Sequence, residues 1–521
     1  MLEIKKKSIN SKQEILIIFF VCVTGLIIRL YFFPNDIPIR ADAIDYFSYT
    51  IALARGDIFP DGYLINKFGW PIFLSPFFAI FNNLDIIQLM NIQRIVSISI
   101  SVLTVIPLYY LIRKFFRKEV ALVAASLFIF SPKVIENSLL GITDPLFIFF
   151  ITLSIMFVFV KNSKYYFISF IIAGFAFIVR QEGILILIPL ILSLVVVKEF
   201  KVKKILKFLL GLSLFCGIAF SADYVLASDM NMSIFDTVVY ASQISEQEMV
   251  VDRENSPGLV VNVEDNIGDF IKNGFFGYSK YFVWVLLPNL VCFTLFSIVV
   301  FKKKISLNKL ILLIFFIILS LTSFYAYGKG VQETRYLLTL IPIVALFSGY
   351  GINWIYSKIG KNVLLMIIPI VISSGLFLII TENDRNELEY FEDAKNIIKF
   401  ANGINDYEGS TFLKVAEMEE RWPDLVPYGE NRKILLDIKK FSSAEHEDIE
   451  DFIIKNHEEG LTHLIIYEKN DNEYLDQIFA NEEKFPYLER VFESKTRVET
   501  NSMKIFYINY TMFDKIINDK E

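Results

Sequence analysis

Cysteine and histidine are almost missing from this chain, with three of each in 521 residues. Cys22, Cys216 and Cys292 all fall inside apolar stretches, which excludes a disulfide framework or a thiol nucleophile and leaves them as small packing residues. His446, His457 and His463 sit in the last third of the chain, and their spacing matches no zinc signature. A glycine-rich phosphate loop is missing too, and no cluster of metal ligands stands out, so no obligatory metal is expected. Acids beside a phosphate could still recruit a divalent cation such as Mg²⁺ or Mn²⁺. There is no basic excess: the net charge is −6, divided between basic clusters and an acidic tail, which gives no nucleic-acid footprint. The first apolar stretch ends in Arg29-Leu30-Tyr31-Phe32-Phe33 without a small-residue cleavage site, so it is expected to stay as the first helix.

What the chain does have is apolar surface. Hydrophobic residues make up 54% of it, with 51 Phe and 25 Tyr, more than a soluble core of this length absorbs. The charged residues, 21% of the total, gather in short clusters and in the tail. Between the clusters lie eleven apolar stretches, at 15–28, 95–112, 120–132, 145–160, 165–179, 184–197, 210–222, 281–301, 310–327, 337–356 and 362–380. They predict a polytopic α-helical membrane protein of about eleven spans. Lysine and arginine set its expected orientation. With Lys5, Lys6, Lys7 and Lys12 inside, the clusters 113–118, 161–164, 198–207, 302–309 and 358–361 fall on the same side. The N-terminus is then cytoplasmic, and 34–94, 133–144, 222–280 and 328–335 face outward. An odd number of spans also places the residues after 380 outside.

From residue 381 the chain turns polar for about 140 residues, enough for an independent core. Its pattern predicts an extracytoplasmic α/β domain at 381–521, after a membrane domain at 1–380. Helices are expected at 387–400, 447–456 and 473–479, and strands at 411–415, 434–437, 461–467 and 503–510.

Chemistry in such a chain has to come from ionisable groups at the membrane boundary. The first outer loop reads Arg40-Ala41-Asp42-Ala43-Ile44-Asp45-Tyr46-Phe47-Ser48-Tyr49, and as a helix it puts Asp42, Asp45, Tyr46 and Tyr49 on one face. A capping pair is the structural alternative for Asp42 and Asp45. Asp144 precedes Pro145 where a span begins, which also reads as a helix cap. Arg180-Gln181-Glu182-Gly183 and Glu333-Thr334-Arg335-Tyr336 interrupt apolar runs at their outer ends. Arg29 adds a cation near the same boundary, where snorkelling is the plain expectation. Several arginines with acids on one face, in loops too short to fold alone, fit a site that holds an anion. Arginine can clamp a phosphate at headgroup level, and a carboxylate can deprotonate a hydroxyl.

These fragments resemble the dolichyl-phosphate-mannose protein mannosyltransferase family and its GT-C relatives, the polyprenyl-phosphate-sugar-dependent membrane glycosyltransferases. The resemblance rests on Asp42 to Tyr46 after the first helix, on Gly69-Trp70-Pro71-Ile72-Phe73-Leu74-Ser75-Pro76-Phe77-Phe78, on Thr143-Asp144-Pro145-Leu146-Phe147, and on the Arg180 and Arg335 segments. It covers about residues 14–350, and the tail is similar to the extra domains of archaeal members. It implies an inverting hexosyltransferase in the plasma membrane that moves mannose or a similar hexose from a dolichyl or polyprenyl phosphate to an extracytoplasmic acceptor. It further implies Asp42 as catalytic base with Asp45 beside it. Tyr46, Asp144, Arg180, Glu182, Glu333, Arg335 and Tyr336 would then bind or orient substrate. Protein-directed members carry adjacent acids in the first loop; here Ala43 takes the second place, which leaves protein, glycan and lipid acceptors open. A lipid or glycan transporter would instead need broken helices and charge at midplane. An oligosaccharyltransferase would need a Trp-Trp-Asp type motif in the tail, where Arg421-Trp422-Pro423-Asp424 stands.

Overall fold

Backbone inside hydrocarbon has no water to bond, so an apolar run must satisfy its own amides as helix. The computed structural model of the chain describes residues 10–35, 39, 42–54, 68–81, 84, 86–160, 165–197, 202–230, 267–300, 307–331, 333–382, 448–457, 461–467, 473–494 and 503–520. Helix occupies each of the eleven apolar stretches. In order they are α1 (Ser11–Tyr31), α2 (Asp42–Ala54), α3 (Gly69–Ile80), α4 (Ile86–Leu103), α5 (Val105–Ile112), α6 (Lys118–Ile129), α7 (Pro132–Ser138) and α8 (Asp144–Val158). There follow α9 (Tyr166–Val179), α10 (Leu187–Val197), α11 (Val202–Met230), α12 (Ile267–Leu286), α13 (Asn289–Val300), α14 (Leu307–Gly328), α15 (Ile341–Ile359) and α16 (Ile367–Glu382).

By length and composition, Ser11–Tyr31, Ile87–Ile112, Leu307–Gly328 and Arg335–Thr381 are each able to cross a membrane. The last runs 47 residues, more than twice what one span needs, and Gly360 with φ 60° divides it into α15 and α16. Five shorter apolar helices, among them Asp144–Val158 and Tyr166–Val179, accompany them. The chain is a multi-pass membrane protein.

Two features depart from the sequence expectation. The stretch 281–301 is not one straight helix, because α12 and α13 meet at an angle of 107°. Asn289 at the bend donates to Ile370 O (3.1 Å) and Ser374 Oγ (2.8 Å), and accepts from Ser373 Oγ (2.8 Å), so α16 satisfies the polar side chain that the break introduces. Arg29 does not snorkel: it is fully buried. Its guanidinium donates to Ser138 Oγ (3.0 Å), Gly25 O (2.9 Å), Ile129 O (3.1 Å) and Ser101 Oγ (3.1 Å), tying α1 to α4, α6 and α7. Short serines on two neighbouring elements, Ser101 of α4 and Ser138 of α7, leave room for the guanidinium, which a reading of α1 alone could not anticipate.

The chain forms two compact units, one of residues 1–34, 65–76 and 92–383, the other of 35–64, 77–91 and 384–521. In the second, the described part of the tail contains α17 (Ile449–His457), β1 (His463–Tyr467), α18 (Glu473–Ala480), β2 (Leu488–Ser494), β3 (Met503–Ile508) and α19 (Tyr510–Lys520). The strands form an antiparallel sheet in the order β1-β3-β2. Ile449, Phe452 and Ile453 stand at helical spacing on α17 and pack with Leu464, Ile466, Phe506 and Phe513 in a core of their own. The expected helices 447–456 and 473–479 and the strands near 461–467 and 503–510 are present. The expected helix 387–400 and strands 411–415 and 434–437 lie outside the described residues, as does His446. Strand β2 escaped the sequence reading because a bulge between Arg490 and Phe492 breaks its alternation, and three of its exposed residues, Glu489, Arg490 and Glu493, are charged. His463 is buried beside Thr462, and burial pushes its pKa down to about 4, so the ring is neutral at neutral pH. His457 stacks on Tyr510 with ring centroids 4.0 Å apart.

Candidate functional site

The helical unit gathers its ionisable groups at two turns. At the first, α9 ends on Arg180, whose extended backbone (φ −150°, ψ 131°) breaks the helical path. The chain then folds back as a 3₁₀ helix, Gln181–Ile186, with Gly183 N bonded to Arg180 O at 2.9 Å. Glycine is required there: a Cβ on Gly183 would lie 2.6 Å from Phe177 N and 2.8 Å from Ala176 C, both backbone atoms of α9. The close return puts Glu182 beside Arg180, with Nη2 to Oε1 at 2.8 Å.

Asp144 reaches the same guanidinium from α8. It ion-pairs with Arg180 Nη1 through Oδ1, while Asn137 Nδ2 lies 3.5 Å from its Oδ2. Asp144 occupies the first turn of α8, and its side chain makes no cap bond; nor does that of Thr143 at the N-cap. The carboxylate is therefore committed to Arg180, and the capping alternative for Asp144 is set aside. The side chains are 7% exposed for Arg180, 1% for Asp144 and 31% for Glu182, so the arginine and its first partner are removed from solvent. A buried charge has to be paired or fully hydrogen-bonded, and here it is paired.

Residues Gly69 and Trp70 brace both sides of this pair. Trp70 Nε1 donates to Gly141 O at 2.9 Å, and Gln93 Nε2 bonds to the same oxygen at 2.7 Å, three residues before Asp144. Gly69 abuts Val179, the residue before Arg180: a Cβ there would sit 2.7 Å from Val179 N.

The second turn, 333–336, leads into the 3₁₀ helix Arg335–Leu340 ahead of α15. Arg335 Nε pairs with Glu333 Oε2, and these side chains are 24% and 42% exposed. Tyr336 joins the two turns. Its ring lies 5.9 Å from the Arg180 guanidinium carbon and 5.5 Å from that of Arg335, inside cation–π range for both. Phe147, one turn into α8, lies 5.5 Å from Arg180 as well. Asp144, Arg180, Glu182, Glu333, Arg335 and Tyr336 thus form one constellation.

Residues 69–222 match the family described as dolichyl-phosphate-mannose-protein mannosyltransferase. Among solved structures, the chain is similar to ArnT from Cupriavidus metallidurans bound to undecaprenyl phosphate, at 9% identity, with 95% of this chain and 98% of that one covered and a TM-score of 0.58. It is also similar to the apo oligosaccharyltransferase of Archaeoglobus fulgidus, at 12% identity over 96% of this chain and 75% of that one, with a TM-score of 0.54. No curated protein matches the chain in sequence. The chain is a glycosyltransferase of the GT-C fold.

The remaining candidates of this GT-C enzyme lie in the other compact unit. Asp42 opens α2 and is half-buried, while Tyr46 and Tyr49 behind it are buried. Thr50 Oγ1 donates back to Tyr46 O at 2.6 Å, which gives the buried hydroxyl its acceptor. Asp45 belongs to α2, but its side chain lies outside the described residues, as do Arg40 and Ala41. Among the described residues, no group of three or more His, Cys, Asp or Glu side chains is arranged to hold a metal. Sequence reasoning missed Phe147 and Asn137. Phe147 figured only as the last residue of the Thr143–Phe147 fragment, with no role of its own, and Asn137 gave no signal beyond lying seven residues before Asp144.

Proposed function

We propose that the chain transfers mannose or a similar hexose from a polyprenyl or dolichyl phosphate to an acceptor outside the membrane, with inversion at the anomeric carbon. The observation that carries this reading is the unequal state of the two arginines that share Tyr336. Arg180 is enclosed by two carboxylates and two rings, so its charge is already spent. Arg335 is 24% exposed and pairs with Glu333, which is 42% exposed, and a phosphate can displace an exposed carboxylate at little cost. Arg335 is accordingly the phosphate ligand, and Arg180 the internal strut that holds Tyr336 against it. The family match over 69–222 and the undecaprenyl phosphate bound to ArnT support this choice of donor.

In the reaction, the acceptor hydroxyl oxygen attacks the anomeric carbon while Asp42 takes its proton. The bond from that carbon to the phosphate oxygen breaks, and the departing polyprenyl phosphate carries the electron pair, stabilised by Arg335. Asp45 and Tyr46 support Asp42 on α2, and Asp144, Glu182 and Glu333 orient the arginines. This places the 34–94 loop and the 381–521 domain outside a plasma membrane, the N-terminus in the cytoplasm and the isoprenoid chain among the helices. Any divalent cation would have to use acids other than Asp144 and Glu182, whose oxygens face Arg180. The fold similarity to the archaeal oligosaccharyltransferase keeps an asparagine acceptor as a second reading.

The donor assignment has a direct test. Arg335→Ala should weaken binding of undecaprenyl phosphate to the purified chain at least about tenfold, the effect of losing a charge-assisted bond. Isothermal titration in detergent reads this, and wild-type affinity would remove Arg335 from the phosphate site.

A further inference from the structure

The backbone of the 333–336 turn determines where the Arg335 guanidinium stands. Two hydroxyls on α14 face that turn. Tyr327 Oη donates to Glu333 O at 2.8 Å, and Ser323 Oγ donates to Tyr336 O at 2.7 Å. Ser323 and Tyr327 are four residues apart, so they share one face of the helix. Both are buried, Ser323 completely. Their bonds fall on either side of Arg335, so the backbone that carries the guanidinium is held at two points.

Tyr327 is itself held from behind. Its ring stacks on Tyr281 of α12 with centroids 5.2 Å apart and planes 18° from parallel. Gly277, on the same helix, leaves the room: a Cβ there would come within 2.9 Å of Tyr327 Cβ. The hydroxyl therefore cannot swing away without disturbing the contact between α12 and α14.

We infer that Ser323 and Tyr327 are positioning residues for Arg335, a two-point hydroxyl clamp that sets where its guanidinium meets a phosphate. This rests on Arg335 being the phosphate ligand. A purely structural role would stabilise the helices regardless of what residue 335 is. A positioning role acts through Arg335 and vanishes when Arg335 no longer has its fork.

The experiment measures undecaprenyl phosphate binding to the purified full chain in detergent for Tyr327→Phe, Ser323→Ala and the double variant, each in the wild-type and Arg335→Lys backgrounds. Tyr327→Phe keeps the stack on Tyr281, and Ser323→Ala removes one oxygen, so neither leaves a cavity. Each single change should raise Kd about fivefold and the pair more than about tenfold, as expected for lost hydrogen bonds. In the Arg335→Lys background the pair should change Kd by less than about twofold, the non-additivity of coupled groups. Wild-type affinity in the double variant, or an equal loss in both backgrounds, overturns the clamp. If Arg335→Ala alone binds like the wild type, the phosphate assignment fails and the clamp falls with it. If Arg335→Ala binds weakly while the double variant binds fully, only the clamp fails.

Discussion

Replacing Arg180 by alanine is expected to cost this protein about 3 to 5 kcal/mol of stability, because it leaves Asp144 as a buried carboxylate without its counter-ion. Asp144 is 1% exposed, so water cannot stand in for the lost guanidinium. The change also removes the cation between Phe147 and Tyr336, contacts of 5.5 and 5.9 Å. Glu182→Gln should cost far less, below about 1 kcal/mol, since that side chain is 31% exposed and solvent compensates it. Thermal unfolding of the purified chain in detergent orders the two. If Arg180→Ala melted no earlier than Glu182→Gln, the Asp144–Arg180 pair would not be the strut described above.

Asp42→Asn should act oppositely, sparing the fold and removing turnover. The amide keeps the shape of the carboxylate at the start of α2 but cannot take a proton, and loss of a general base lowers rates by about 10² to 10⁴. Sugar transfer from a polyprenyl-phosphate hexose by purified variant and wild type measures it, with unchanged undecaprenyl phosphate affinity as the control. A rate within twofold of wild type would take the base role from Asp42. Arg180→Ala and Asp42→Asn thus separate the two roles proposed for charge in this molecule: one holds the scaffold, the other performs the chemistry.

Much of this was legible from residue order, for a physical reason. An apolar run in lipid has one backbone solution, so the eleven stretches became helix wherever they were read. The turns at 180–183 and 333–336 stood out because charge interrupts apolar sequence at a cost that only a use repays. What the sequence hid is pairing across elements. Nothing in Arg180-Gln181-Glu182-Gly183 says that Asp144, 36 residues earlier, will take the guanidinium, so the two arginines looked equivalent as phosphate ligands. Arg29 looked like a snorkelling boundary residue because its partners, Ser101, Ile129 and Ser138, lie on α4, α6 and α7. The bend between α12 and α13 was equally invisible, since Asn289 in an apolar run becomes tolerable only when Ser373 and Ser374 meet it. The second clue missed was Tyr327, one of many tyrosines until its hydroxyl was found on Glu333 O.

The carboxylate that takes the proton and the guanidinium that holds the phosphate have to open onto one side of the bilayer, the outer one. Single cysteines at positions 42 and 335, in a chain whose Cys22, Cys216 and Cys292 are replaced by alanine, report this through a membrane-impermeant maleimide applied to intact cells. Labelling of both positions is the expected result; labelling of one from outside and the other only after the membrane is opened would contradict it.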